Sequence, residues 1–198
     1  MTLWFATGNT HKKTELAAIL SGHRIKIPQE RGIFDFNPPE TGNTFLDNAL
    51  IKAQALYQVL KEPVIADDSG LCVDALGGRP GIYSSRYGAS LGNLSASARN
   101  TLILQELGDN PQRSARFICA MVILWSPDRF LAVQETLEGE ILREERGSRG
   151  FGYDPIFSIP ELGCTVAELT EEEKNRISHR GKAGKQLAAL LSTGISGS

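Results

Sequence analysis

Cysteine is scarce. Cys72, Cys119 and Cys164 are the only three in 198 residues, they lie far apart, and neither a C-x-x-C pair nor a histidine at zinc-ligand spacing accompanies them. A disulfide framework and a zinc ribbon are thereby excluded, and a reduced, cytoplasmic setting is expected, with each thiol a small packed hydrophobe. An excess of one charge is lacking too. Lys+Arg 21 against Asp+Glu 23 leaves a formal net charge of −2, so the chain has little electrostatic hold on a phosphate polymer and no nucleic-acid partner is expected. No segment approaches the roughly 20 apolar residues of a membrane span, and Met1 to Ala6 has neither the basic start nor the apolar length of an export signal. No membrane partner is expected. Internal repeats, low-complexity blocks and convincing linkers are absent as well.

What is present is an ordinary globular composition, 41% hydrophobic and 22% charged, on a chain long enough to bury a real core. The expectation is a single two-lobed domain over residues 1–198, ending in a small polar tail at 192–198 that frays.

Apolar spacing gives the elements. Leu3 to Ala6 is a short apolar run ending in Thr7-Gly8-Asn9, after which Leu16, Ile19 and Leu20 recur at helical spacing: strand, glycine turn, helix. Thr44-x-x-Asp47 signals a helix start, followed on one face by Phe45, Ala49, Ala53, Leu56 and Leu60. Pro63 to Ala66 is too short for a helix and β-branched, and so predicts a buried strand that delivers Asp67-Asp68-Ser69-Gly70 at its end. Glycine-rich clusters at Gly77 to Gly81 and Gly147 to Gly152 mark loops. Between them fall a helix from Ala96 to Leu107 closed by Gly108, and two strand-like runs, Arg116 to Trp125 and Phe130 to Leu142. The end is helical, with Thr170-x-x-Glu173 as a capping box, a break at Arg180-Gly181, and Leu187, Leu190 and Leu191 as a later apolar face. Early alternation followed by consecutive strands predicts an α/β fold on a mixed sheet.

Several segments could carry chemistry. Thr7-Gly8-Asn9-Thr10-His11-Lys12, between strand and helix, can aim backbone N–H groups at an anion and adds a mobile ammonium. It lacks the full spacing of a P-loop or a dinucleotide turn. The adjacent carboxylates Asp67 and Asp68 repel one another unless a cation or a proton-transfer role compensates, and hard oxygen donors suit Mg²⁺. Glu40 offers a further carboxylate. In Gly150-Phe151-Gly152-Tyr153-Asp154-Pro155, glycines around two rings and an acid can let a flat base lie against a ring while Asp154 accepts from its donors. Lys174 and Ser178, one helical turn apart, lead into His179 and Arg180, a donor-rich patch suited to phosphate or a base carbonyl. Arg86 follows Ser84-Ser85 as a possible phosphate clamp. Each segment taken alone also reads as an ordinary turn, solvated helix end or surface charge.

Taken together and in order, they resemble the inosine triphosphate pyrophosphatase family. The likeness runs through Thr7-Gly8-Asn9-x-x-Lys12, Glu40-Thr41-Gly42-x-Thr44-Phe45, Asn48-Ala49, Lys52, Asp67-Asp68-Ser69-Gly70-Leu71, Gly77-Gly78-x-Pro80-Gly81-Ile82-Tyr83-Ser84-x-Arg86, Gly150 to Pro155 and Ile177-Ser178-His179-Arg180. It departs at Pro39, where many relatives carry a second acid, and at His11, where a small residue is common. The resemblance implies an elongated mixed sheet flanked by helices, with a central cleft between two lobes, in a homodimer. It also implies Mg²⁺-dependent hydrolysis of ITP, dITP and XTP to the monophosphate and pyrophosphate, which cleanses the nucleotide pool. Thr7 to Lys12, Lys52 and Ser69 would hold phosphates, Glu40 and Asp68 would serve the metal, and Asp68 would accept the proton of the attacking water. Phe151, Gly152, Tyr153, Asp154, Lys174, His179 and Arg180 would form the base and sugar pocket. Selection would rest on the 6-oxo group, which satisfies a cationic donor that the 6-amino hydrogens of adenine would oppose, a difference worth up to about 10⁴-fold. Two other readings stay open: a pyrophosphatase of other modified nucleotides, and a nucleotide-binding regulator without turnover.

Overall fold

The computed structural model describes residues 1–193. Strands β1 (Thr2–Phe5), β2 (Arg24–Lys26), β3 (Val64–Val73), β4 (Ser114–Ser126), β5 (Arg129–Ile141), β6 (Phe157–Ile159) and β7 (Cys164–Thr165) form one seven-stranded sheet in the order β2-β1-β3-β4-β5-β6-β7. β2 and β3 run parallel to β1, whereas β6 is antiparallel to both β5 and β7, so the sheet is mixed. The helices are α1 (Thr10–Ile19), α2 (Phe45–Leu60), α3 (Ala96–Leu107), α4 (Glu171–Ile177) and α5 (His179–Ser192).

Two compact units make up the chain. One holds Met1–Asp68, Cys119–Glu135 and the segment from Ser178; the other holds Ser69–Ile118 and Thr136–Ile177. In the first unit, strand alternation sorts side chains between two cores. Leu3, Phe5, Ile65, Met121 and Ile123 pack with Leu16 of α1 and Ala183 and Leu187 of α5. Their sequence neighbours Trp4, Ala6, Val64, Ala66, Val122 and Leu124 pack instead with Ala49, Ala53 and Leu56 of α2. Strands buried on both faces must be apolar at consecutive positions, which is why these segments read as runs rather than alternations. The second unit has a single core in which Leu71, Val73, Phe117 and Leu137 meet Ile103 and Leu107 of α3 and Tyr153, Ile156 and Phe157.

The helix signals hold where their chemistry is local. Thr44 and Asp47 form a reciprocal capping box at the start of α2, and Ser95 and Gly108 cap α3 at its predicted ends. Three expectations need correction. β3 does not stop at Ala66 but continues to Val73, which places both aspartates inside a strand. The break expected at Arg180-Gly181 lies at Ser178, whose side chain caps α5 by accepting from the Gly181 amide at 3.0 Å. β2, β6 and β7 were not foreseen, because two or three residues are too few to show a period. Of the expected tail, Ser192 belongs to α5, and residues 194–198 lie outside the described residues.

Gly139 in β5 marks a close approach within the second unit. A Cβ there would stand 2.3 Å from the Ser158 carbonyl oxygen and 2.5 Å from the Phe157 ring, beside the paired residues Glu140 and Ser158. The backbone oxygen cannot rotate away. Gly139→Ala is therefore expected to destabilise the protein by about 1–3 kcal/mol, as overpacking does, read as a lower urea midpoint; an unchanged midpoint would show that the β5–β6 pairing yields.

Candidate functional site

β3 sends its two aspartates to opposite faces. Asp67 shares a face with Ile65, in the core of α1 and α5, while Asp68 shares one with Val64 and Ala66, in the core of α2. Each then meets the cations of its own face. Asp67 Oδ1 accepts from Lys12 Nζ of α1 at 3.0 Å and Oδ2 accepts from Arg180 Nε of α5 at 3.0 Å. Asp68 Oδ1 accepts from Lys52 Nζ at 3.1 Å and Oδ2 from Asn48 Nδ2 at 3.2 Å, both on α2. The repulsion expected between neighbouring carboxylates is relieved by pointing them apart.

Asp68 does not have Lys52 to itself. The same ammonium donates to Glu40 Oε1 at 2.8 Å. Asn48 is oriented by the Gly42 amide, which donates to its Oδ1 at 2.8 Å and leaves its Nδ2 for Asp68. Gly42 is required there, since a Cβ would lie 2.8 Å from that Oδ1 and 2.5 Å from Asp47 Cβ. Electrostatics divides the aspartates further. Burial would raise the Asp67 carboxyl, but Lys12, Arg180 and Lys52 outweigh it and hold the group well below the usual carboxylate range. Burial also dominates at Asp68 and, reinforced by Glu40 against the opposing pull of Lys52, raises it above the ordinary value. Burial works against the Lys52 ammonium, yet Asp68, Asp67 and Glu40 together raise its pKa.

In the glycine turn, Asn9 caps α1 by accepting from the His11 and Lys12 amides at 2.9 and 3.2 Å. The Asn9 amide donates to Thr7 Oγ1 at 3.1 Å and the Thr7 amide to the Phe5 carbonyl at 2.8 Å. These amides are engaged within the turn, so what it presents is the Lys12 ammonium, with Gly8 and Thr10 completing the bend. His11 is exposed. His179 is buried at the start of α5, and Arg180 beside it is engaged by Asp67 and, through Nη1, by Glu15 Oε2 at 2.6 Å. A guanidinium so held differs from the open base donor expected at that position.

The second unit gathers the other candidates. Lys174 Nζ donates to Asp154 Oδ2 at 2.9 Å and sits 4.4 Å from the Phe151 ring centroid, with both charged groups buried. The Phe151 amide donates to the same Oδ2 at 2.8 Å. Gly150 (φ 73°) permits this turn, since a Cβ would come within 2.1 Å of Asp154 Oδ2. Gly152 is fixed by Asn100, which donates to its carbonyl at 3.2 Å. Tyr153, 5% exposed, is a core residue whose hydroxyl donates to the Ser84 carbonyl at 2.8 Å, whereas Phe151 is only half-buried. Ser69 is half-buried at the start of this unit's span of β3. Arg86 stacks on Tyr83, 5.0 Å from its centroid, and lines a pocket of about 380 Å³ with Tyr87, Leu94 and Arg99.

Sequence reading gave no role to Asn48, Glu15 or Asn100. Asn48 and Lys52 carry a usable signal: polar residues four apart on the buried face of α2 interrupt an apolar stripe and imply a buried polar partner. Glu15 stands three residues after Lys12, on the same helical face. Among the described residues no group of three or more His, Cys, Asp or Glu assembles as a metal site. The hard donors at hand are Glu40 and Asp68, joined through Lys52.

Known proteins resemble this chain over nearly its whole length. A model of the Ham1 family matches residues 3–190. The dITP/XTP pyrophosphatase of Treponema denticola is 54% identical over 184 residues, 92% of this chain and 94% of that protein. Solved structures of the Ham1 protein of Staphylococcus aureus (TM-score 0.88, 39% identity, 98% and 100% of the two chains) and of a HAM1 protein from Coxiella burnetii (TM-score 0.89, 38% identity, 98% and 99%) share the fold.

The two aspartates should part in stability. A lowered carboxyl stabilises the fold above its unfolded pKa and loses that contribution as pH falls, whereas a raised one favours the fold when protonated and opposes it as pH rises. At pH 7, Asp67→Asn is expected to cost about 3–5 kcal/mol, because it strands buried cations, while Asp68→Asn leaves the urea midpoint at or above the parent's. Equal losses in the two variants would refute this division.

Proposed function

The chain belongs to the Ham1 family, and from that premise we infer that it hydrolyses deaminated purine nucleoside triphosphates, dITP, XTP and ITP, to the monophosphate and pyrophosphate. The names of its relatives support the reaction class. The observation that carries the reading to particular residues is Asp68, a carboxylate with raised proton affinity held between an amide donor and a shared ammonium.

Opening a phosphoanhydride needs a base to orient and deprotonate water, and positive charge on the phosphates. Asp68 is the base in this reading. Its raised proton affinity makes it a better acceptor than an ordinary surface carboxylate, and Asn48 fixes one of its oxygens. Lys52 and Lys12 supply phosphate neutralisation, with Thr7 to His11 shaping the turn and Ser69 an added hydroxyl. For the base, Phe151 offers a ring face to the purine, and Lys174, fixed by Asp154, donates to the 6-oxo group.

The fit to a divalent ion rests on the donors present. Glu40 and Asp68 share the Lys52 ammonium, which gathers two carboxylates where an anionic substrate is to bind. Two hard oxygen donors suit Mg²⁺, which keeps waters and substrate oxygens as its remaining ligands. Glu40 and Asp68 would hold it, and when bound it would supply charge neutralisation at the phosphates.

We further take the enzyme to be a single two-lobed domain, acting as a cytoplasmic homodimer without a membrane or nucleic-acid polymer partner. In support, Cys72, Cys119 and Cys164 are free, and among the described residues no helix is long and apolar enough to cross a membrane. The homodimer rests on the family resemblance.

Pyrophosphate release from ITP, dITP, XTP, ATP and modified pyrimidine triphosphates with Mg²⁺ tests the reading. Preference for the 6-oxo purines is expected, and Asp68→Asn should lower kcat by about 10²-fold or more. Binding without release would make the chain a regulator, and equal rates on modified pyrimidines would move its substrate class.

Base selection has its own test. Lys174→Ala should narrow the ITP to ATP ratio of kcat/KM by loss on the ITP side, whereas Phe151→Ala should weaken every purine alike, because stacking tolerates base identity. An unchanged ratio in Lys174→Ala would assign discrimination to other groups.

A further inference from the structure

Asp67 has no part in the chemistry assigned so far, yet it is one of the most completely engaged side chains in the first unit. It is 1% exposed. Both oxygens accept from cations, Lys12 and Arg180, and Cys119 Sγ lies 4.0 Å from Oδ2. Arg180, 2% exposed, passes its second contact to Glu15. Glu15 follows Lys12 by one turn of α1, so the chain of contacts Lys12, Asp67, Arg180, Glu15 returns to the helix on which it began.

We propose that Asp67 is a positioning residue for the Lys12 ammonium, held in place by Arg180 and Glu15 in a chain of alternating charges that begins and ends on α1, so that Lys12 meets the transferring phosphates in one fixed place. The proposal rests on the hydrolase reading above. The chain of charges is buried in its middle: Asp67 and Arg180 are 1% and 2% exposed, whereas the Lys12 side chain is 17% exposed. A lysine otherwise carries its charge on a flexible four-carbon stem, which reaches a phosphate but does not define where the charge sits.

Two other roles fit less well. A metal ligand needs accessible lone pairs, and a divalent ion at Asp67 would have to displace Lys12 from one oxygen and the buried Arg180 from the other. A purely structural role is a poor use of four charges, since buried ion pairs are seldom more stabilising than apolar residues of the same volume.

Kinetics separates these roles. If Asp67 positions Lys12, Asp67→Asn should lower kcat by about 10- to 100-fold, the scale of a misplaced group. KM should not rise, because the ammonium remains and a carboxylate that repels phosphate is gone. In the Lys12→Ala background the same change should lower kcat no further, since the residue through which it acts is missing. Glu15→Gln, at the far end of the chain of contacts, should give a smaller loss of the same kind and, with Asp67 still paired to Arg180, a smaller stability cost than Asp67→Asn, which keeps the test alive if Asp67→Asn folds poorly. Rates are normalised to folded protein by near-ultraviolet circular dichroism. Additive losses in the double variant, an unchanged kcat per folded molecule, or a loss recovered by raising Mg²⁺ would each overturn the proposal. Absence of pyrophosphate release by the parent chain would instead overturn the hydrolase reading, and this role with it.

Discussion

The side-chain alternation of β3 is the constraint on which the candidate catalytic cluster depends. Two aspartates adjacent in sequence would repel if they pointed the same way, and no single cation could compensate both. Inside a strand that is buried on both faces they are forced apart, and each is met by the helices covering its own face: α1 and α5 for Asp67, α2 for Asp68. The same period that sorts Leu3, Phe5 and Ile65 from Trp4, Ala6 and Val64 thus also assigns the two carboxylates different partners. Packing and electrostatics are set by one geometric rule.

That rule explains why the two groups differ in proton affinity despite equal chemistry and near-equal burial. Asp67 has two cations of its own in Lys12 and Arg180, and they overcome its desolvation. Asp68 has one, shared with Glu40, and desolvation wins. A group that is to take a proton benefits from the second situation, and a group that is to hold a cation in place benefits from the first.

Much of the fold was legible because its signals are local. The capping box at Thr44 and Asp47, the closure of α3 by Gly108 and the long runs of β4 and β5 each state their chemistry within a few residues. The expected mixed sheet flanked by helices, and the resemblance read from the ordered motifs, are borne out by the strand pairing and by the Ham1 relatives. What stayed hidden is non-local. That β3 runs on past Ala66 depends on cations supplied by residues 12, 52 and 180, so a strand ending before two charges was the natural reading of the segment alone. Arg180 looked like an open donor because its partners, Asp67 and Glu15, lie more than a hundred residues earlier. Tyr153 and Phe151, two positions apart in a glycine-rich turn, are equivalent in sequence and separate only when one hydroxyl finds the Ser84 carbonyl.

The charges of the first unit divide between the two aspartates. The set of Lys12, Asp67, Arg180 and Glu15 joins two charges of each sign through three ion pairs. It can therefore be rigid in the resting enzyme, with Lys12 as the member nearest to solvent. In the cluster of Glu40, Lys52 and Asp68, two carboxylates meet on one ammonium. A second basic side chain at Asp68 would pull its carboxyl down towards the state of Asp67 and, on the reading of Asp68 as the base, weaken it. The contrast between the two environments fits the proposed division of roles, with Asp68 as proton acceptor and Asp67 as the group that holds Lys12.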